Sequence, residues 1–331
     1  MEPVLRADIE RFLVDPSRGW SDSADTWRPL AFVDLDTCGD SSHFDPLPPF
    51  PVIGVGDATH PFAATLDAVI EAPIVAATLI QQVERAPRAA AVTVQLLRSS
   101  QDLSYERALM LESLSYGLLQ GSDEYAAWLA ARPPPEQLPS AGRVIVERRD
   151  SVLHVVLDRA EARNAINRDM RDQLFEAFTL AALDPEIHSV KLRSIGTAFS
   201  AGGDLDEFGT TTDPATAHLI RSRTLPALAL TRRPEILDVH VQGACIGAGI
   251  EISAFAGRVT ASPTAWFQLP ELAMGLIPGA GGCVSVPRRI GRQLAALMIL
   301  SGQKIDAATA LRWGLIDAIE NQPAVSATSA P

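Results

Sequence analysis

VHVQGACIGAGIEISAFAGRVTASPTAWFQLPELAMGLIPGAGG, residues 239–282, holds two glycine-rich turns and two glutamates, Glu251 and Glu271, in a run otherwise almost free of charge. Val239, Val241, Cys245 and Ile246 read as a buried strand and its exit. Gly243, Gly247 and Gly249 then let the backbone turn tightly into a helix predicted over 250–256. Such a helix start leaves amide N–H groups without intrahelical partners and favours negative charge, so it is suited to an anion. Glu251 falls in that first turn. Glu271 follows Pro270, and Ile277-Pro278-Gly279-Ala280-Gly281-Gly282 is too rich in glycine for the interior of a regular element. Two carboxylates facing one pocket are the expectation.

Outside this stretch, composition sets bounds. The 331 residues suggest two domains or one large one, and 47% hydrophobic content is ample for a core. A formal net charge of −12 argues against nucleic acid or an anionic membrane surface as partner. Cys38, Cys245 and Cys283 are separated and lack metal-ligand spacing, which points to a reducing cytoplasm and to no metal site. The first residues, MEPVLRADIERF, are acidic and mixed, unlike a targeting peptide, and no uncharged apolar run is long enough to span a membrane.

In chain order, a short helix is predicted over 5–14, and two short strands over 31–35 and 51–56. Helices follow at about 75–85, 89–98, 104–119 and 123–131, with Ser104 as an N-cap. The prolines from Pro133 to Pro139 form the best domain boundary in the chain. Beyond it the pattern becomes α/β: a hairpin over 144–147 and 152–157, a long helix over 165–183, and a strand over 190–195. Ligands in such sheets bind beyond the carboxyl ends of strands. The glycine-rich exits 195–204 and 242–249 therefore make one candidate site.

Four ordered motifs within 143–320 carry a resemblance: DRAEARNA (158–165), AFSAGGDL (198–205), GACIGAGIE (243–251), and FQLPE (267–271) with GLIPGAGG (275–282). This succession resembles the enoyl-CoA hydratase/isomerase family, the crotonases. The resemblance implies an α/β fold with a ββα superhelix core, an acyl-CoA ligand with no cofactor beyond its CoA moiety, and a homotrimer or dimer of trimers. It places two thioester-gripping N–H groups on Ala201 and Ala248, and the catalytic carboxylates on Glu251 and Glu271. It puts substrate contacts at Ser200, Gly202, Gly203, Asp204, Gly247, Gly249, Pro278 and Gly279. Asp204 also reads as fixing the turn after the oxyanion strand, and the glycines as permitting close packing. Of Arg163, Arg171, Arg221 and Arg223, read mainly as a solvated face, one or two are candidates for CoA phosphates.

Reaction beside a thioester builds enolate charge on its oxygen, which two preorganised donors stabilise. Hydration of a 2-enoyl thioester also needs a water deprotonated and a proton delivered to C2, tasks suited to two carboxyl groups. The presence of both glutamates favours a hydratase. An enoyl isomerase, a thioester hydrolase or decarboxylase, a cofactor-free oxygenase and an inactive partner subunit stay open.

A typical member continues past the position of Ile319 with several helices. Here 321–331 reads as a disordered tail, while residues 67–132 look like those helices, because Asp67-Ala68-Val69-Ile70-Glu71 parallels Asp317-Ala318-Ile319-Glu320. The expected organisation is thus a mainly helical N-terminal region (1–140), resembling a degenerate crotonase remnant that supplies lid or oligomerisation helices, ahead of a catalytic core (141–320).

Overall fold

The computed structural model describes residues 6–16, 28–39, 44, 46–133 and 141–321. Most of the proline-rich boundary (134–140) and the expected tail beyond Asn321 lie outside the described residues. The first helix, α1 (Arg6–Ile9), is shorter than its pattern and continues as a 3-10 turn, Glu10–Phe12. Strands β1 (Ala31–Asp34), β2 (Val52–Val55) and β3 (Ala68–Val69) pair in parallel in that order. Helices α2 (Ala76–Arg85), α3 (Pro87–Ser99), α4 (Tyr105–Gln120) and α5 (Asp123–Ala131) follow. Ser104 and Ser122 cap α4 and α5, their side chains accepting from the N–H of Arg107 and Tyr125. Each cap satisfies a donor that the helix itself cannot.

In the second part, β4 (Arg143–Arg149) and β5 (Val152–Asp158) form the expected antiparallel hairpin. The long helix α6 (Arg168–Leu183) starts three residues later than its apolar pattern suggested. Asn167 accepts from Met170 N–H as its cap, while Ile166 pairs with Gly203 instead of entering the helix. Next come β6 (Ser189–Ser194), α7 (Pro214–Thr224), α8 (Pro226–Leu230), β7 (Leu237–Val241), β8 (Ala244–Ile246) and α9 (Ala248–Ser253). The chain continues through β9 (Arg258–Ala261), β10 (Trp266–Gln268), α10 (Gly282–Ile290), α11 (Arg292–Ser301), β11 (Ile305–Asp306), α12 (Ala307–Trp313) and β12 (Ala318–Ile319).

From β7 to β10 successive strands alternate between two sheets. β7, β9 and β12 join a six-stranded sheet of order β12-β9-β7-β6-β5-β4, whereas β8, β10 and β11 build a three-stranded one of order β11-β10-β8. β7-β8-α9 and β9-β10-α10 thus each give one strand to either layer before a helix follows, the ββα winding that the resemblance implied. Parallel strands buried on both faces need near-continuous apolar residues. Val239, Val241, Val259 and Ala261 supply them.

The N-terminal helices pack on this core in the same chain: α2 and α3 lie against α11, and α4 lies against α7 and α10. The sequence parallel between the two DA-containing segments has a physical counterpart. Asp67 donates its N–H to Val52 O and accepts Val52 N–H on Oδ2, and Asp317 makes the same pair of bonds with Val259. Each aspartate directly precedes a short edge strand that pairs in parallel with its neighbour.

Asp67 also receives Arg98 at 2.5 Å and Arg292 at 3.3 Å, with its own side chain 1% exposed. It therefore ties the small sheet to α3 and, across the chain, to α11. Removing one partner of such a buried network leaves uncompensated charge at a cost of about 3–5 kcal/mol. Asp67→Ala is expected to lower the unfolding free energy by about that amount in urea denaturation; a loss well under 1 kcal/mol would show that the two arginines find water instead.

Candidate active site

The two glutamates of the 239–282 stretch reach the same place by different local routes. Gly247 (φ +47°) is the N-cap of α9, so Ala248 opens the helix and Glu251 sits in its first turn, buried. The helix starts two residues earlier than its apolar pattern indicated, because the positive φ of Gly247 already completes the turn. A Cβ on Gly247 would lie 2.6 Å from Glu271 Oε1, so glycine here also makes room for the second carboxylate. Glu271 begins a 3-10 turn behind Pro270 and is 8% exposed.

Both line one cavity of about 250 Å³. Of the residues singled out from sequence, Gly203, Asp204, Ala248, Glu251, Glu271 and Gly279 are on its wall. The wall also includes Tyr116, Gln120 and Tyr125 of the N-terminal region, with Phe208, Arg168, Arg171 and Arg221. Arg221 is no solvated residue: it donates to Ser113 Oγ, Ser113 O and Gln120 Oε1 and lies 4.7 Å from the Tyr116 ring centre. Arg171 is paired with Asp172 at 2.7 Å.

Ser200, Gly202, Gly247, Gly249 and Pro278 are not among the residues that line this cavity. Ser200 is fully buried, its Oγ donating to Asn164 O and accepting from Gly202 N–H. Gly249 packs against the Ser200 side chain, and Pro278 offers its carbonyl to the Cys283 thiol. Asp204 reaches the wall but is committed to structure. Its Oδ2 accepts from the buried Arg159 at 2.6 Å and its Oδ1 caps the next turn through Asp206 N–H. The Ala201 N–H donates to Arg163 O at 2.9 Å and is off the wall, so the first donor expected for a thioester oxygen is engaged within the chain. The Ala248 N–H, first in its helix, belongs to the set that helices leave without intrahelical partners.

A third carboxylate was not foreseen. Glu112 of α4, buried, accepts Gly281 N–H on Oε1 and Cys283 N–H on Oε2, each at 2.8 Å. Glu251 Oε2 takes the amides that alternate with them, Ala280 at 2.6 Å and Gly282 at 2.8 Å. The only hint of Glu112 in the sequence is a lone acid among the leucines of an apolar helix, which reads equally well as an exposed position. The aromatic Tyr116 packs beside it because Gly279 has no side chain; a Cβ there would fall 2.3 Å from the ring.

Burial governs the electrostatics. It raises the Glu251 carboxyl to about 7, against the pull of the Ala280 and Gly282 amides. Burial first, and the charge of Glu251 second, push Glu271 and Glu112 well above the ordinary carboxyl range. Glu271 Oε2 is buried and has no hydrogen-bond partner among the described residues. An orphaned acceptor of this kind is costly and is found where a substrate or water is to be held. Among the described residues no group of His, Cys, Asp or Glu is arranged to hold a metal ion, and no helix is long and apolar enough to cross a membrane.

Residues 147–329 match the family model described as enoyl-CoA hydratase/isomerase, more than half of the chain. The chain belongs to the enoyl-CoA hydratase/isomerase family. It is 36% identical over 173 residues to 2,3-dehydroadipyl-CoA hydratase of Escherichia coli K12, covering 52% of this chain and 67% of that one. To a protein named probable enoyl-CoA hydratase from Mycobacterium tuberculosis it is 34% identical over 178 residues, 53% of this chain and 68% of the other. AtuE of Pseudomonas aeruginosa superposes with a TM-score of 0.50 at 29% identity, covering 54% of this chain and 70% of AtuE. These likenesses support the crotonase fold, and the shared half of the chain is the part that carries Glu251 and Glu271.

A carboxyl held at about 7 in the fold and at its ordinary 4.5 when unfolded keeps its proton longer in the native state. Its contribution to stability is complete below 4.5 and disappears as pH rises to 7, a loss of about 3 kcal/mol. Urea unfolding at pH 4.5 and 7.5 is expected to show this decline, and Glu251→Gln to flatten it. An equal slope in the variant would place the titration elsewhere.

Proposed function

We propose that the chain acts on acyl-CoA thioesters and hydrates a 2-enoyl-CoA. The observation that carries this reading is that Glu251 and Glu271 share one cavity wall with the Ala248 N–H at a helix start. The thioester oxygen would sit on that N–H, where the helix dipole favours the enolate charge that builds as the double bond is attacked. Water enters between the carboxyl groups; one takes its proton and the other delivers a proton to C2. Groups whose proton affinity lies near neutrality suit such a cycle, since each must give and take a proton in every turnover. The helices of residues 75–131 act as a lid supplied from ahead of the core: Tyr116, Gln120 and Tyr125 close one side of the cavity.

One observation favours a second reading. The Ala201 N–H is bound to Arg163 O, so of the two donors expected for a thioester oxygen Ala248 is the one on the cavity wall. A subunit that binds acyl-CoA without turning it over would need no more than that.

Incubation with crotonyl-CoA and a panel of branched and aromatic enoyl-CoAs, following loss of the conjugated thioester absorbance, separates the two. Turnover that falls at least about a hundredfold in both Glu251→Gln and Glu271→Gln supports the hydratase. Ala248→Pro deletes only an N–H at a position where proline fits a helix start, and is expected to cost about 3 kcal/mol of barrier. Tight acyl-CoA binding without turnover in the unaltered chain would instead establish the second reading.

A further inference from the structure

Four consecutive amides at the head of α10 are divided between two carboxylates from different helices. Ala280 and Gly282 donate to Glu251 Oε2, and Gly281 and Cys283 donate to the two oxygens of Glu112. The pattern is interlocked, so neither carboxylate can move without disturbing amides adjacent to those of the other. It differs for the two acids in one respect. Both oxygens of Glu112 accept an N–H, one amide to each, which suits a carboxylate. Both hydrogen bonds to Glu251 fall on Oε2, which leaves Oε1 as the place for a proton on the residue that lines the cavity.

We infer that Glu112 is a positioning residue for Glu251: it fixes the 280–283 turn whose amides hold Glu251 Oε2, and so directs the proton of the pair to Glu251 Oε1. Two carboxyl groups this close bind protons as a unit, and the repulsion is mutual. Burial together with the charge of Glu251 pushes the Glu112 carboxyl up, while the Gly281 and Cys283 amides and Arg221 oppose it. The other groups that face the pair are Glu271, the Tyr116 phenol on α4 and the Cys283 thiol on α10. Arg221 on α7 is the cation among them, and its hydrogen bonds to Ser113 keep it one residue along α4 from Glu112. The α4 helix belongs to the N-terminal region. That region therefore contributes to the protonation state of the site as well as to its walls.

The part of this inference that concerns turnover rests on the hydration reading; the assignment of the proton does not. Infrared difference spectra of the full-length chain across pH 4–9 follow protonated carboxyl groups directly, and a Glu271→Gln background removes the third acid. In that background a carboxyl band is expected to titrate near neutrality and to vanish in Glu251→Gln. Glu112→Gln is expected to keep the band and lower its midpoint by about one pH unit or more, because a like charge has gone. An unmoved midpoint would reduce Glu112 to a structural residue and overturn the inference. So would a band that survives in Glu251→Gln and disappears in Glu112→Gln, which would make Glu112 the titrating group. Should Glu112→Gln fail to fold, the Glu251→Gln spectrum alone still decides which acid holds the proton. None of these spectra requires turnover, so a chain that hydrates nothing still answers the question. In a chain that does, the matching limb of the pH–rate profile, measured with Glu271 intact, is expected to shift by the same amount in Glu112→Gln, whereas a merely structural defect would lower the rate evenly across pH.

Discussion

Two buried carboxylates share four successive N–H groups at the head of α10, and the site depends on that arrangement. A carboxylate taken out of water loses many kcal/mol of hydration, and only good hydrogen bonds or opposite charge compensate. The first turn of a nine-residue helix, preceded by glycines whose missing side chains admit other groups, concentrates such donors. The chain places two acids there and a third, Glu271, beside them with an oxygen unpartnered. Burial pushes Glu251 and Glu271 on the cavity wall, and Glu112 beside the same turn, toward higher proton affinity. Perturbed acids in a cavity are a recognised mark of chemistry, because proton transfer near neutrality needs groups poised there.

The surroundings explain how so much like charge is tolerated. Tyr116 covers the Gly279 side of the turn, and Arg221 lies over its ring with its nitrogens held by Ser113 and Gln120. The cation is thus fixed by neutral partners and not by a carboxylate, which keeps its field directed at the acids. Behind the wall, Arg159 and Asp204 form a buried pair that pins the loop after β6. Breaking one member of such a pair is costly, so the loop that borders the cavity is held with little freedom.

Much of this was legible from residue order. The two acids of the apolar 239–282 run, Glu251 after a glycine-rich turn and Glu271 after Pro270, stood out from residue order, and both line one cavity. The N-terminal helices were readable from apolar periodicity and from serine caps. Three things were not. Where α6 begins was decided by Asn167 acting as a cap and by Ile166 pairing with Gly203, a tertiary contact that apolar spacing does not encode. The bond from Ala201 N–H to Arg163 O joins segments far apart in the chain, so the motif alone suggested a free donor. Glu112 was hidden because a helix shows a lone acid in the same way whether it faces water or a ring of amides; only the packing of α4 against α10 distinguishes the two.

The order of segments along the chain is immaterial to the packing that results. Asp67 and Asp317 perform the same task at a short edge strand of two different sheets, yet only the first is followed, among the described residues, by helices that pack on the core. Those helices come back to α11 and α10, so an element that precedes the core in sequence supplies a wall to a site made by residues more than a hundred positions later. A short range of distances decides such an outcome, not the direction of the chain. Arg292 reaches Asp67, Trp313 Nε1 donates to Glu71 at 2.8 Å, and Arg312 donates to Ala72 O. Through these contacts the turn between β3 and α2 is docked beside the end of α12. From there α2 starts against the core, and two helices later the carboxylate of Glu112 faces the turn that also binds Glu251.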